Sequence, residues 1–277
     1  MKIAKRTRAE LDRSPRVRSE VRDGIAYVRL ARPAKLNGLD VPMLHALAET
    51  PRRLRRDPAV RAVILAGDGD AFCAGLDFAS VGRDPQGFAR VVAKLPGGLN
   101  VVQRACWAWR ELPVPVIAVL HGHCYGGGLQ LALAADFRIA TPDCQLSIME
   151  GRWGLIPDMT GSVTLRELVP MDVAKRLAMT AETFTGDTAR ELGLVTEVSD
   201  APMAAAEALA AQLLTRSPDA LAATKTLLHR TWSRAPRWAF WTETVLQARL
   251  LRGANHRIAR AAGAAGELPR YLRRTLG

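Results

Sequence analysis

Apolar and polar positions follow two regimes along this chain of 277 residues. In the first half, three short runs are apolar and rich in branched side chains: GIAYVRLAR from Gly24, VRAVILAG from Val60 and VPVIAVLHG from Val114. Each is bounded by glycine or proline, which predicts buried strands. Helical patterns over 41–56 and about 99–111 precede the second and third runs. Strands separated by helices imply an α/β core with crossover connections. After Pro157 the strand signal fades, and segments 202–216, 218–230 and 236–250 each open on a proline where a first helical turn accepts one. That half reads as a helical appendage. Between Ser80 and Gly98 the RDPQG and LPGG stretches predict loops around a short helix, and RAAGAAGELP from Arg260 predicts a loop or loosely packed tail.

Composition narrows the class. With 48% hydrophobic and 24% charged residues, the chain can bury a core of its own. Its four cysteines, Cys73, Cys106, Cys124 and Cys144, lack metal-ligand spacing, and no secretory apolar segment precedes them, so reduced thiols in a cytoplasmic protein are expected. No apolar run reaches the roughly 18 to 20 residues of a membrane span, and no membrane association is expected. The net charge of +12 is confined to the ends: residues 1–35 carry +7, residues 249–277 carry +6, and the remainder −1. Such ends read as solvated tails, and RRLRR from Arg52 as a solvated helix face, so nucleic acid is not the expected partner.

The candidate chemistry begins at HGHCYGGGLQLALAAD from His121. Gly126, Gly127 and Gly128 follow a buried strand and open an apolar helix, where unpaired N–H groups converge at the positive end of the helix dipole. Such a site stabilises an anion. Phosphate fits poorly, because neither the Walker lysine nor the GxGxxG spacing is present. An oxyanion fits better, since a thioester enolate needs only two aimed N–H donors. AFCAGLDF from Ala71 places another glycine where backbone could supply the second donor.

With these motifs the sequence resembles the crotonase superfamily, the enoyl-CoA hydratases and isomerases, from about Glu20 to about Arg260. The resemblance is carried in order by ARPAKLNGLD from Ala31, AFCAGLDF, HGHCYGGGLQLALAADFRIATPDCQLSIME, WGLIPDMTGS from Trp153 and TGDTARELGLVTEV from Thr185. It implies an α/β fold in which a spiral of ββα units (20–200) precedes a C-terminal helical region (201–277); the charge pattern makes residues 1–19 a basic N-terminal tail. The resemblance further implies homotrimers or hexamers, an acyl-CoA thioester substrate, and neither a metal nor a dissociable cofactor. By motif position the oxyanion donors are the N–H groups of Leu76 and Gly127, while Lys35, Leu36 and Ala74 belong to the coenzyme A-binding segment.

The acid and base depart from the commonest pattern. Hydratases of this superfamily resemble one another in carrying two glutamates twenty residues apart; here the second is Glu150, but the first is Gln130. An amide has no proton affinity near neutral pH, so Gln130 can orient a water or substrate without acting as base. Asp158, eight residues past Glu150, is similar to the aspartate of dienoyl-CoA isomerases, which removes an α-proton while the glutamate delivers one further along the chain. The 4-chlorobenzoyl-CoA dehalogenases of the superfamily also place an aspartate here, as a nucleophile. Paired carboxyls near an enolate suit this chemistry, one ionised and its partner kept protonated by burial. The competing reading of Asp158 is a helix N-cap. His121 and His123 are expected as satisfied polar residues, Asp77 and Asp136 as loop-fixing groups, and Trp107 and Trp109 as packing on opposite helix sides. Trp232, Trp238 and Trp241 suit either acyl-chain space or a subunit contact. The favoured activity is double-bond isomerisation; the alternatives are hydration by Glu150 with Gln130 orienting water, and a non-catalytic RNA-binding homologue.

Overall fold

The computed structural model describes residues 15–93 and 98–276. Strands β1 (Val17–Arg22) and β2 (Ile25–Leu30) form an antiparallel hairpin across Asp23 and Gly24, whose φ values of 49° and 84° suit a two-residue hairpin turn. Val17 to Ser19 thus lie in the sheet, although they belong to the stretch read as a basic tail; residues 1–14 of that stretch lie outside the described residues. Helix α1 (Val41–Arg56) leads to β3 (Ala62–Gly67). Next come α2 (Phe78–Arg83), α3 (Pro85–Val92) and α4 (Val101–Arg110), then β4 (Val116–Leu120). The segment read as loops around one short helix therefore holds two, separated at Asp84, which caps α3 by accepting from the Gly87 N–H at 2.8 Å. Each of the three sequence-derived strands is present but begins one or two residues later than its apolar run, because Gly24 and Pro115 belong to the turns that precede them.

Downstream lie β5 (His123–Tyr125), α5 (Gly127–Leu133), β6 (Phe137–Ala140) and β7 (Gln145–Ser147). They are followed by α6 (Gly161–Leu168), α7 (Met171–Thr180), α8 (Gly186–Glu191) and the two-residue β8 (Glu197–Val198). The chain closes on α9 (Pro202–Leu214), α10 (Pro218–Thr231), α11 (Pro236–Arg252) and α12 (Ala254–Ala265). Helix α12 takes in the first six residues of RAAGAAGELP, where a loop or loosely packed tail is expected from the sequence; alanine's helix propensity outweighs the single Gly263, and the chain leaves the helix only at Gly266, with φ 68°.

The main sheet runs β1-β2-β3-β4-β6-β8, parallel from β2 onward. Period-two alternation divides its side chains between two cores. Val63, Leu65, Val116, Ala118 and Leu120 face the larger core with α1 and α4, whereas Ala62, Ile64, Ala66, Ile117 and Val119 face Ala206 and Ala210 of α9. Burial on both faces explains why these strands are apolar throughout rather than alternating. A second, smaller layer pairs β5 with β7 in parallel and is extended by single bridges from Cys73 to Cys124 and from Leu146 to Phe184. Successive turns of the chain thus give one strand to each layer: β3 then Cys73, β4 then β5, β6 then β7. This is a spiral of the kind the resemblance implied, and it sets the site, because the residues that follow each second-layer segment emerge side by side, neighbouring strands being about 4.8 Å apart. All four cysteines are buried and unpaired, and burial pushes the thiols of Cys73 and Cys144 up to about 12.

Candidate active site

Three consecutive turns of the spiral supply the site: Leu76 after Cys73, Gly127 after β5, and Glu150 after β7 in a 3-10 turn over Met149–Trp153. At the first, the Leu39 N–H donates to the Gly75 carbonyl at 2.8 Å and the Asp77 N–H to the Leu39 carbonyl at 3.0 Å. In such a parallel bridge the intervening residue directs its own N–H to the opposite side, so Leu76 presents its donor away from Leu39. At the second, Gly127 is the first residue of α5, and its N–H has no carbonyl one turn earlier within the helix. Gly75 lets the two donor segments approach: at φ 84°, an added Cβ would stand 2.8 Å from the Tyr125 carbonyl oxygen and 3.7 Å from the Gly127 nitrogen. The glycine triplet has the same origin. A Cβ on Gly127 would meet Met159 Sδ at 2.6 Å, and one on Gly128 would meet the Cys73 carbonyl oxygen at 2.6 Å.

Glu150 sits over this helix start, with Oε1 3.4 Å from where a Gly126 Cβ would lie. Gln130, 1% exposed on α5, donates from Nε2 to Glu150 Oε1 at 2.5 Å. Its carbonyl oxygen accepts from the N–H groups of Met159 at 2.8 Å and Gly161 at 3.0 Å. Gln130 therefore fastens Glu150 to the segment that carries Asp158. The other glutamate oxygen, Oε2, is buried with no hydrogen-bond partner among the described residues. Burial pushes the Glu150 carboxyl above the usual carboxylate range and the charge of Asp158 adds to this, while the Gln130 hydrogen bond opposes it. Burial likewise raises Asp158. Asp158 does not cap α6; that position belongs to Thr160, in the left-handed region at φ 80° and without a side-chain cap.

Lys35 ends a 3-10 turn over Pro33–Lys35, and Leu36 follows it at φ 47°. The Ala74 N–H donates to the Leu36 carbonyl at 2.9 Å, so these three residues stand together two positions before the Leu76 donor. Asp77 caps α2, accepting from the Ser80 N–H at 3.0 Å, as a loop-fixing group should. What sequence reasoning missed is its partner, Arg32, which donates to Asp77 Oδ2 at 2.7 Å and to the Gly38 carbonyl at 3.0 Å. Burial pushes the Asp77 carboxyl up, but hydrogen bonds from Ser80 and Arg32 outweigh it and hold the group at about 2. Asn37, fully buried at φ 55°, was also passed over; its amide donates to the carbonyls of Asp68 and Ala71 and accepts from the Arg32 N–H. Only the ARPAKLNGLD block hinted at either residue.

Among the residues set aside, His121 Nε2 lies 2.9 Å from the Gly69 carbonyl and His123 Nδ1 3.0 Å from the Tyr125 hydroxyl, both satisfied polar contacts. Trp109 is fully buried, while Trp107 donates to Glu111 at 3.1 Å on the other side of α4. Among the described residues no three His, Cys, Asp or Glu side chains cluster as metal ligands, and no helix is long and apolar enough to cross a membrane.

Comparison with known proteins agrees with the fold. The family model described as enoyl-CoA hydratase/isomerase matches residues 20–257. A hydroxycinnamoyl-CoA hydratase-lyase of Pseudomonas fluorescens is 30% identical over 217 residues, 76% of each chain. An (E)-benzylidenesuccinyl-CoA hydratase of Thauera aromatica is 31% identical over 209 residues, covering 74% of this chain and 79% of its own. The crystal structure of an enoyl-CoA hydratase from Polaromonas sp. JS666 superposes with a TM-score of 0.84 at 27% identity, covering 92% of this chain and 99% of that one.

Proposed function

Because this chain belongs to the enoyl-CoA hydratase/isomerase family, we propose that it moves a double bond within an enoyl- or dienoyl-CoA thioester through an enolate. The thioester carbonyl accepts hydrogen bonds from the N–H groups of Leu76 and Gly127, which stabilise the negative charge that develops on its oxygen. Asp158, ionised, removes the α-proton. Glu150, protonated, delivers a proton further along the conjugated chain, and the two carboxyls exchange protons with solvent before the next turnover. The observation that carries this reading is the state of Glu150: one oxygen is held by Gln130 and the other is buried without a partner, beside a second carboxyl that raises its proton affinity. Lys35, Leu36 and Ala74 hold the coenzyme A portion in this reading, and association into trimers or pairs of trimers belongs to it as well.

Hydration is the second reading, and the names of the two relatives described above favour it. There Glu150 activates a water that Gln130 orients, and Asp158 takes no proton. One experiment separates the two: the purified protein is assayed on a 2-enoyl-CoA and a 3,5-dienoyl-CoA, with Asp158→Asn and Glu150→Gln as variants. Isomerisation should fall about 10²-fold or more in both variants, the range associated with losing a positioned acid or base. Hydration that requires Glu150 but survives Asp158→Asn, with no isomerisation in the wild type, would overturn the first reading in favour of the second.

A further inference from the structure

The two segments that flank the site also bring two aromatic rings together. Phe78 opens α2 two residues after the Leu76 donor, and its N–H donates to the Leu76 carbonyl at 3.1 Å. Trp153 ends the 3-10 turn that holds Glu150. Their ring centroids are 5.0 Å apart with the planes tilted by 48°, a favourable aromatic arrangement. Yet Phe78 and Trp153 are 42% and 56% exposed as residues, and Leu155 and Ile156, next along the chain from Trp153 and Gly154, are 50% and 75% exposed. The Leu155 N–H donates to the Glu150 carbonyl at 3.0 Å, so this apolar surface is fixed to the proton-transfer turn. The ring pair thus joins the segment of the Leu76 N–H to the turn of Glu150.

We infer that Phe78 and Trp153 form an acyl-binding wall that selects thioesters with an aryl-substituted acyl group over short straight-chain ones. This rests on the reading of the site as an acyl-CoA site. A short aliphatic chain covers little of this exposed surface, whereas a planar ring packs against the indole and phenyl faces and removes both from water. The wall bridges the two segments, so its occupant is fixed with respect to both the oxyanion donors and the carboxylate.

The test is binding, measured apart from turnover. Calorimetric titration compares 3-phenylpropanoyl-CoA with butanoyl-CoA, both saturated and hence unreactive in a double-bond shift, on the wild type and on Trp153→Ala and Trp153→Phe. The wild type should bind the aryl thioester more tightly. Trp153→Ala should weaken that ligand by about five- to tenfold more than butanoyl-CoA, the scale of one aromatic contact, and Trp153→Phe should keep most of the preference. Equal affinity of the wild type for the two thioesters, or equal weakening of both by Trp153→Ala, would overturn the wall. If aryl preference holds while no enoyl-CoA is turned over, the wall stands and the isomerisation reading fails. Failure to bind either thioester overturns both.

Discussion

Gln130 differs from glutamate by an NH2 group in place of an oxygen, and in this site that exchange decides a charge. As an amide it donates to Glu150 and accepts from Met159 and Gly161 at once, which a carboxylate cannot do without holding a proton. Gln130→Glu should therefore leave the two backbone bonds intact and set two carboxyls against each other, forcing them to share one proton and raising the proton affinity of Glu150 further. The expected outcome is isomerisation lowered by about tenfold or more, together with newly measurable hydration of a 2-enoyl-CoA. Product analysis on both substrates checks this, and unchanged isomerisation without hydration would contradict it. A pH consequence belongs to the same residues. Burial raises both Glu150 and Asp158, so activity that needs one of them ionised should fall on the acid side at a pH above the ordinary carboxylate range. Folding favours their protonated forms, so their contribution to stability is present below the unfolded values and is lost as pH rises through the folded ones.

The helix α2 shows how an element holds a donor in place. Asp77 both caps it and binds Arg32, and Leu76 is the residue just before. Asp77→Ala removes the cap and leaves the Arg32 guanidinium, 11% exposed, without that carboxylate. A stability loss of about 1–2 kcal/mol is expected from the cap alone, with kcat lowered by up to about 10²-fold as the Leu76 donor shifts. Denaturant unfolding and steady-state kinetics check the two parts, and kinetics unchanged from wild type would show that Arg32 and Asp77 do not position the donor. Because Asp77 is held at about 2, its contribution to stability is present above the ordinary carboxylate value and is lost as pH falls toward 2. The elements were unequally legible in the sequence. β3 and β4 announced themselves because both faces are covered and every residue is apolar. β1 did not, since an edge strand tolerates the arginines that made it resemble a tail, and β5 and β7 are three residues each, too short for a period. In the site, Leu76, Gly127 and Glu150 came from the motifs that carry the family resemblance, and the structure sets the three after neighbouring second-layer segments. The Arg32 to Asp77 bond joins residues 45 positions apart and the Gln130 to Met159 bond residues 29 apart, contacts that only the tertiary fold brings about.

At the scale of the whole molecule, a buried cation ties α10 to the spiral. Lys225 of α10 donates to Asp136 Oδ2 at 2.6 Å and to the carbonyls of Val114 at 3.0 Å and Trp109 at 3.3 Å. Asp136 also accepts from the Val116 N–H at 2.8 Å, so the loop-fixing role expected of it serves β4 and α10 together. Burial lowers the lysine's proton affinity and Asp136 restores part of it. His229, one turn further along α10, is pushed down to about 4, chiefly by burial, and stays neutral near pH 7. Lys225→Met strands the aspartate in this cluster, and a stability loss of about 3–5 kcal/mol is expected, with much of it recovered in the Lys225→Met, Asp136→Asn pair. Urea unfolding of the three variants checks the sign, and additive losses in the double variant would contradict it. The four buried thiols lie at successive stations of the spiral: Cys73 after β3, Cys106 on α4, Cys124 in β5 and Cys144 before β7. An alkylating reagent reaches any of them only when that turn opens, so the order in which they become modified in mild denaturant is a map, written in four marks by the chain itself, of which coil loosens first.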